Sequence, residues 1–360
     1  MPASPLARIL QLMKILLISD AWQPQINGVV RTLENTSAEL TKMGHAVLVI
    51  GPDRFRTVPM PGYREIPLAL LPRRGLEKQV ESFQPDCIHI ATEGPLGMAC
   101  RRWCTRHRVT FSTSFHTRFP EYLRLRAPVP TAWTYAWLRR FHGAASQTMV
   151  RTRTQKQELS ARGFRHLAVW PGGVDTTLFR PRAKRLLNLP GPIALYAGRV
   201  AKEKSLEDFL SISFAGSKVI IGDGPARAAL QQRFPEAHFL GYQQGENLAG
   251  LIASADVFVF PSRTDTLGLV MLEAMACGVP VAAFPVPGPL DVVLEGVGGC
   301  LDEDLGAAMH RALRLDRMDC RSFAAEFSWR HCSQIFLDLV QPISTLPLKA
   351  TAGPLAGSVS

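Results

Sequence analysis

The chain has 360 residues, 46% of them apolar and 20% charged. That is enough for two folded domains and too apolar for an unstructured chain. No apolar run approaches the ~20 residues that span a bilayer, and residues 1–12 lack the small-residue cleavage site of a signal peptide. The net charge is +11, with 25 Lys and Arg against 12 Asp and Glu over residues 1–180 and 16 against 18 beyond, so a basic first domain is expected to face an anionic partner.

Met13 stands directly before the apolar run 14–19, which reads as a buried parallel strand, and is expected to be the start, with residues 1–12 an extension. The loop DAWQPQING leads to a helix over 29–43, stopped by Gly44, and a second strand at 46–50. A glycine at a helix entrance after a strand is a phosphate cue, but Gly28 alone is not G-x-G-x-x-G and also reads as a turn residue. Residues 53–76, rich in Arg and Pro, are expected to be a loop. Strands at 86–90 and 109–114 follow, with a helix starting after the turn 92–97. The second of these strands delivers His116 at its carboxyl end, where substrates approach an open α/β sheet. Taken alone, a single His is more simply structural.

Residues 118–140, RFPEYLRLRAPVPTAWTYAWLRR, bring Arg118, Tyr122, Trp133, Trp137, Arg139 and Arg140 into one segment. Aromatics beside a basic cluster suit a segment lying on an anionic membrane. Core tryptophans beside a solvated basic face are the competing reading. Nucleic acid could use such a patch, but no recognised nucleic-acid motif accompanies it and no nucleic-acid partner is expected. A strand at 147–150, a helix at 154–162 and a strand at 167–170 complete a first domain over 13–175. The seven cysteines are odd in number and scattered, which reads as buried or free thiols in a reducing cytoplasm. Cys100 and Cys104 share a helix face, but no second Cys/His pair completes a zinc site.

A Gly/Pro-rich link, PGGVD to FRP181, leads into a second domain over 182–322. It opens with a strand at 193–196 and then GRVAKEKS, in which three cations within six positions at a helix start suit a diphosphate. A solvated basic turn is the plainer alternative. Glycine-rich strand ends follow at 222–225 and 241–242. Residues 256–284 then read as strand, polar loop, helix over 267–276, and strand. Asp265 stands in that loop and Glu273 eight positions later in the helix. Backbone amides at Gly268, Leu269 and Val270 lie between them, facing an anion. Carboxylates on either side of an anion site suit a ligand with hydroxyls at both ends and phosphate in the middle, as in a sugar nucleotide. Each acid alone also reads as a loop cap or a solvated helix residue. Residues 304–315 and 322–340 are expected to be helical, and 342–360 a disordered tail.

Several of these segments resemble family-4 retaining glycosyltransferases of the GT-B fold. The acidic pair resembles that family's Glu, seven residues, Glu motif, with Asp265 in the first place. The segment SFHTRFPEY, the cations Arg199 and Lys204, the junction GGVD…F-x-P and the terminal FSW each resemble a family motif in the same order, over roughly residues 14–340. The resemblance implies an α/β protein with two Rossmann-like domains, their parallel sheets facing a cleft. It implies that a terminal helix, 323–341, crosses back onto the first domain. It implies transfer of a hexosyl unit (mannose, glucose or a uronic acid) from a UDP- or GDP-linked sugar with retention of configuration, with no cofactor and no metal, because Arg199 and Lys204 carry the leaving phosphates. His116 would contact the donor sugar, Asp265 its hydroxyls and Glu273 the ribose, with Gly28 near the donor phosphates. The nearest likeness within the family is to bacterial α-mannosyltransferases and glycolipid synthases.

A lipid acceptor such as diacylglycerol or a phosphoinositide-like precursor then fits the basic aromatic segment, with the enzyme peripheral on the cytoplasmic face. The alternatives are a sugar-nucleotide 2-epimerase on the same fold and a non-catalytic anion- or nucleic-acid-binding protein.

Overall fold

The computed structural model describes residues 12–25, 27–60, 63–116, 130–183, 186–265 and 267–344. Arg118 and Tyr122 lie outside these residues, as does most of the proposed tail.

The first half runs β1 (Lys14–Ile18), α1 (Gly28–Lys42), β2 (Ala46–Ile50), β3 (Thr57–Met60), β4 (Tyr63–Ala69), α2 (Arg73–Phe83), β5 (Cys87–Ile90), α3 (Pro95–His107), β6 (Ser112–Phe115), α4 (Thr131–His142), β7 (Gln147–Val150), α5 (Arg153–Ala161) and β8 (Leu167–Val169). Six strands form one sheet in the order β2-β1-β5-β6-β7-β8, every neighbouring pair parallel. Ile15 to Ile18 are fully buried, as a central strand covered by helices on both faces must be.

The second half repeats the plan. It runs β9 (Ile193–Ala197), α6 (Leu206–Leu210), β10 (Ser217–Ile221), α7 (Arg227–Arg233), β11 (His238–Gly241), α8 (Gly245–Ala253), β12 (Val257–Phe260), α9 (Leu269–Ala276), β13 (Val281–Ala283), α10 (Pro289–Val292), β14 (Gly299–Leu301), α11 (Leu305–Ala312), α12 (Arg317–Ala325) and α13 (Trp329–Leu339). Its sheet, β11-β10-β9-β12-β13-β14, is also wholly parallel. In both sheets the order reverses beside the first strand, and the crevice at such a switch point is where open α/β sheets bind ligands.

Two expectations are corrected. Residues 53–76 are not a loop: β3 and β4 pair as an antiparallel hairpin, with Pro59 opposite Pro67, and α2 begins at Arg73. Prolines are tolerated in such a pair because it lies outside the main sheet, where ladder donors can be spared. Residues 322–340 are not one helix. The backbone of Ser328 is extended and its hydroxyl accepts from the His331 amide at 3.2 Å, which caps a new helix, α13, after α12 has ended.

That last helix packs on the first domain. Phe336 shares a core with Ile15, Leu17, Leu33 and Trp170, and the Trp170 indole donates to the Cys332 carbonyl at 3.1 Å. The chain therefore crosses between the domains at two places. These lie side by side: the Val174 amide donates to Phe327 O at 2.7 Å, and a Cβ on Gly173 would fall within 2.9 Å of Trp329.

Candidate active site

At the edge of the first sheet, Asp20 follows β1 and is 7% exposed. It accepts from the Leu96 and Gly97 amides at 2.8 and 3.2 Å and from Thr92 at 2.9 Å. This ties the loop after β1 to the start of α3. Asn27 caps α1 by accepting from the Val29 and Val30 amides at 3.0 Å. Gly28 is thereby the first residue of the helix, with open space where a Cβ would stand.

His116 directly follows β6 and is buried, with its ring 5.7 Å from Trp170 at a steep angle. Burial, then the Arg151 charge, holds it well below the ordinary histidine range. It is therefore neutral at physiological pH and acts as a hydrogen-bonding group rather than as a cation. Behind it, His89 is fully buried between Ser112 and Ser114 at 2.9 and 2.8 Å and titrates at about 3, because burial penalises its charged form.

In the second domain, Arg199 lies exposed just after β9, and its carbonyl accepts from the Tyr196 hydroxyl at 2.9 Å. The return loops pack tightly against this strand end. Gly222 has φ +135° and its Cβ would meet Gly198 O, so only glycine fits there. Lys204 ends a short 3₁₀ turn and its ammonium meets Asp265 Oδ1 at 2.5 Å, both side chains 18% exposed. Gly268, at φ +71°, precedes α9, and among the described residues no side chain caps that helix. Its first-turn amides are left for an anion.

Glu273 is the one acid on the apolar α9 and is buried. Its Oε1 pairs at 2.6 Å with Arg31, which projects from α1 of the first domain. Burial raises the Glu273 carboxyl, while Arg31 pulls it back. The other oxygens, Asp265 Oδ2 and Glu273 Oε2, are buried with no hydrogen-bond partner among the described residues. Both acids thus have one oxygen fixed by a cation and one acceptor unsatisfied, at roughly 1–3 kcal/mol per buried acceptor. A ligand bearing hydroxyls at both ends would satisfy them.

Arg31 was not visible from sequence reasoning, which read α1 only as a helix over 29–43 stopped by Gly44. A cation in the first turn of a helix opposes the helix dipole, and that was the available signal. Arg151 was missed as well. It directly follows β7 at the same sheet edge as His116, and it is buried.

Of the aromatic and basic segment, the described residues hold only α4. Trp133 is 73% and Trp137 40% exposed on α4, and Arg139 and Arg140 are exposed too, while Tyr135, Leu138 and Phe141 face inward. Neither tryptophan is a core residue. Among the described residues no helix is long and apolar enough to cross a membrane. All seven cysteines are free and buried, and among the described residues no group of three His, Cys, Asp or Glu is placed to hold a metal.

Two Rossmann-like domains with cations and half-engaged carboxylates at their facing edges define a nucleotide-sugar transferase of the GT-B class. The comparisons agree. The profile of Glycosyltransferase Family 4 matches residues 26–178 and that of Glycosyl transferases group 1 matches 191–315. The GDP-mannose-dependent alpha-mannosyltransferase of Mycobacterium tuberculosis is 30% identical over 80% of this chain and 83% of its own length. The alpha-monoglucosyldiacylglycerol synthase of Acholeplasma laidlawii is 25% identical over 75% and 79%. Among solved structures, the sucrose-phosphate synthase of Thermosynechococcus elongatus superposes with a TM-score of 0.73 at 21% identity, covering 91% of this chain and 98% of its own. Anabaena HepE with UDP and glucose gives 0.67 at 15% identity, covering 91% and 98%. The chain belongs to glycosyltransferase family 4, and it is an enzyme that uses a sugar-nucleotide donor.

Proposed function

We propose that this enzyme transfers a hexosyl unit, with retention of configuration, from a nucleoside-diphosphate sugar to a lipid acceptor at an anionic membrane surface. The observation that carries the donor assignment is the matched state of Asp265 and Glu273, each with one oxygen held by a cation and one unsatisfied. In this reading Asp265 accepts from the sugar hydroxyls and Glu273 from the ribose, while the diphosphate lies on the amides of Gly268, Leu269 and Val270. Arg199 and Lys204 stabilise the leaving diphosphate as its charge grows, which takes the place of a metal. Neutral His116 contacts the sugar from the opposite edge. The leaving phosphate takes the acceptor's proton, so no protein nucleophile is assigned.

The acceptor assignment rests on α4, whose exposed face joins Trp133 and Trp137 to Arg140, while Arg139, further round the helix, is exposed and donates to the Arg162 carbonyl at 2.9 Å. Such a face partitions its indoles into the headgroup region while the guanidiniums meet anionic lipid. The relatives named for alpha-mannosyl transfer and for glucosyl diacylglycerol synthesis are consistent with both halves of the reading.

The test is a panel of UDP- and GDP-linked sugars, scored first by thermal stabilisation and then by mass spectrometry of products formed on a lipid extract. A glycolipid product formed from one donor supports the reading. Release of free nucleotide with no acceptor product would replace it with an epimerase.

A further inference from the structure

Arg151 is 4% exposed, and among the described residues no carboxylate pairs with it. Its Nη1 is buried with no hydrogen-bond partner among the described residues. Its other contacts are weak ones: Nη2 stands 3.5 Å from Thr32 Oγ1, and the guanidinium lies 5.3 Å from the Trp170 ring centre. Burial brings its pKa down only to about 10, so it stays charged at neutral pH. A buried charge with no counter-ion is unfavourable in a ligand-free protein and is retained where a ligand supplies the missing charge.

Its position says which ligand. A Cβ built on Gly172 would lie 2.9 Å from Arg151 Nη2 and 2.3 Å from Leu269 Cδ2. The guanidinium of the first domain therefore packs against Gly172 beside the side chains of Leu267, at 2.4 Å from that same point, and Leu269, which brings the cation to the entrance of α9. The uncapped amides of α9 begin at Leu269. On the other side, Arg151 is close enough to His116 to depress its titration.

We propose that Arg151 is a further phosphate-binding residue, a cation from the first domain that meets the donor's diphosphate at the start of α9 and completes the grip begun by Arg199 and Lys204. This rests on the donor reading above. It adds that both domains hold the leaving group, so that the grip forms only with the cleft closed.

The experiment compares thermal stabilisation of wild type, Arg151→Met and Arg151→Lys by inorganic pyrophosphate, UDP, GDP and glycerol phosphate, together with donor KM and kcat. Arg151→Met is expected to melt no lower than wild type without ligand, because it removes an uncompensated charge while keeping the volume. It should lose at least half of the pyrophosphate-induced shift and raise donor KM about tenfold. Arg151→Lys, which keeps the charge without the fork, should recover part of both. An Arg151→Met protein that melts lower but keeps the full pyrophosphate shift would make the residue structural and overturn the proposal. Loss of the glycerol phosphate shift alone would move the anion onto the acceptor and overturn it too. If wild type itself shows no shift with any diphosphate, the donor reading fails with it. If only the wild-type shift survives unchanged in the variants, this inference alone fails.

Discussion

Arg31 and Glu273 come from opposite domains and meet at 2.6 Å, with the carboxylate buried and the guanidinium half exposed. The second acid of the pair is thus already held, through one oxygen, by the other side of the cleft. Its remaining oxygen has no hydrogen-bond partner among the described residues. Glu273→Gln keeps the shape but halves the acceptor capacity and removes the charge that Arg31 meets. A hydrogen bond to a charged group contributes about 1.5–3 kcal/mol, so kcat/KM should fall roughly 10- to 100-fold, mainly through donor KM. Steady-state kinetics checks this. A Gln variant with unchanged KM would place the ribose elsewhere.

Lys204 meets Asp265 at 2.5 Å. Its charge is expected to act mainly on the leaving diphosphate, so Lys204→Ala should lower kcat by roughly 10²–10³, the range seen when one preorganised transition-state donor is removed. The fold should survive, since the ammonium is partly exposed and lies at a loop. Full activity in a well-folded Lys204→Ala protein would remove the assignment.

The buried histidines set a direction for acid stability. His89, titrating at about 3, and His116, held well below its ordinary value, are both depressed by burial. The unfolded chain protonates them first, near pH 6.5, so their contribution is intact above that pH and is lost as pH falls below it. The slope is roughly 1.4 kcal/mol per pH unit for each such histidine. Glu273, with its carboxyl raised, acts in the opposite sense: its cost is present above the unfolded glutamate range and eases on acidification. Denaturant unfolding at pH 7.5, 6.5 and 5.5 should show falling stability, with a shallower slope in His89→Gln. An identical slope in that variant would contradict the account.

The exposed face of α4 predicts a separable effect. Trp133→Ala with Trp137→Ala, or charge reversal at Arg139 and Arg140, should abolish flotation with anionic vesicles at little cost in melting temperature. Turnover on a soluble acceptor analogue should persist. Wild type that fails to bind vesicles would point to a soluble acceptor instead.

Catalysis that relies on Arg199 and Lys204 for the diphosphate should also be insensitive to chelation. Activity measured with and without EDTA checks this, and restoration of a chelated enzyme by a divalent ion would show that the cations do not suffice.

Much of the fold was legible because its strands are buried on both faces. Continuous apolar runs such as 14–19 and 257–260 admit few other readings, and their carboxyl ends located His116 and the Asp265 loop. Glu273 stood out as an acid on a helix with no other polar residue. The hairpin β3–β4 was hidden because Pro59 and Pro67 look like chain breakers until they are seen opposite one another. The break at Ser328 was hidden because α12 and α13 are both amphipathic and only three residues separate them. Whether Trp133 and Trp137 face inward could not be read from spacing, since an aromatic stripe serves a core and a surface equally well. Arg31 and Arg151 were missed because their roles depend on contacts between distant segments, 242 positions apart in the case of Arg31 and Glu273.

The paired crossings at Val174 and Phe327 restrict how the two lobes can move. Two adjacent pins let a door swing but keep it from sliding or twisting on its frame. The lobes are accordingly left with one main freedom, rotation about the line through these two crossings. Each opening and closing should retrace the same arc, returning Arg31 and Arg151 to the same places against α9 on every turnover.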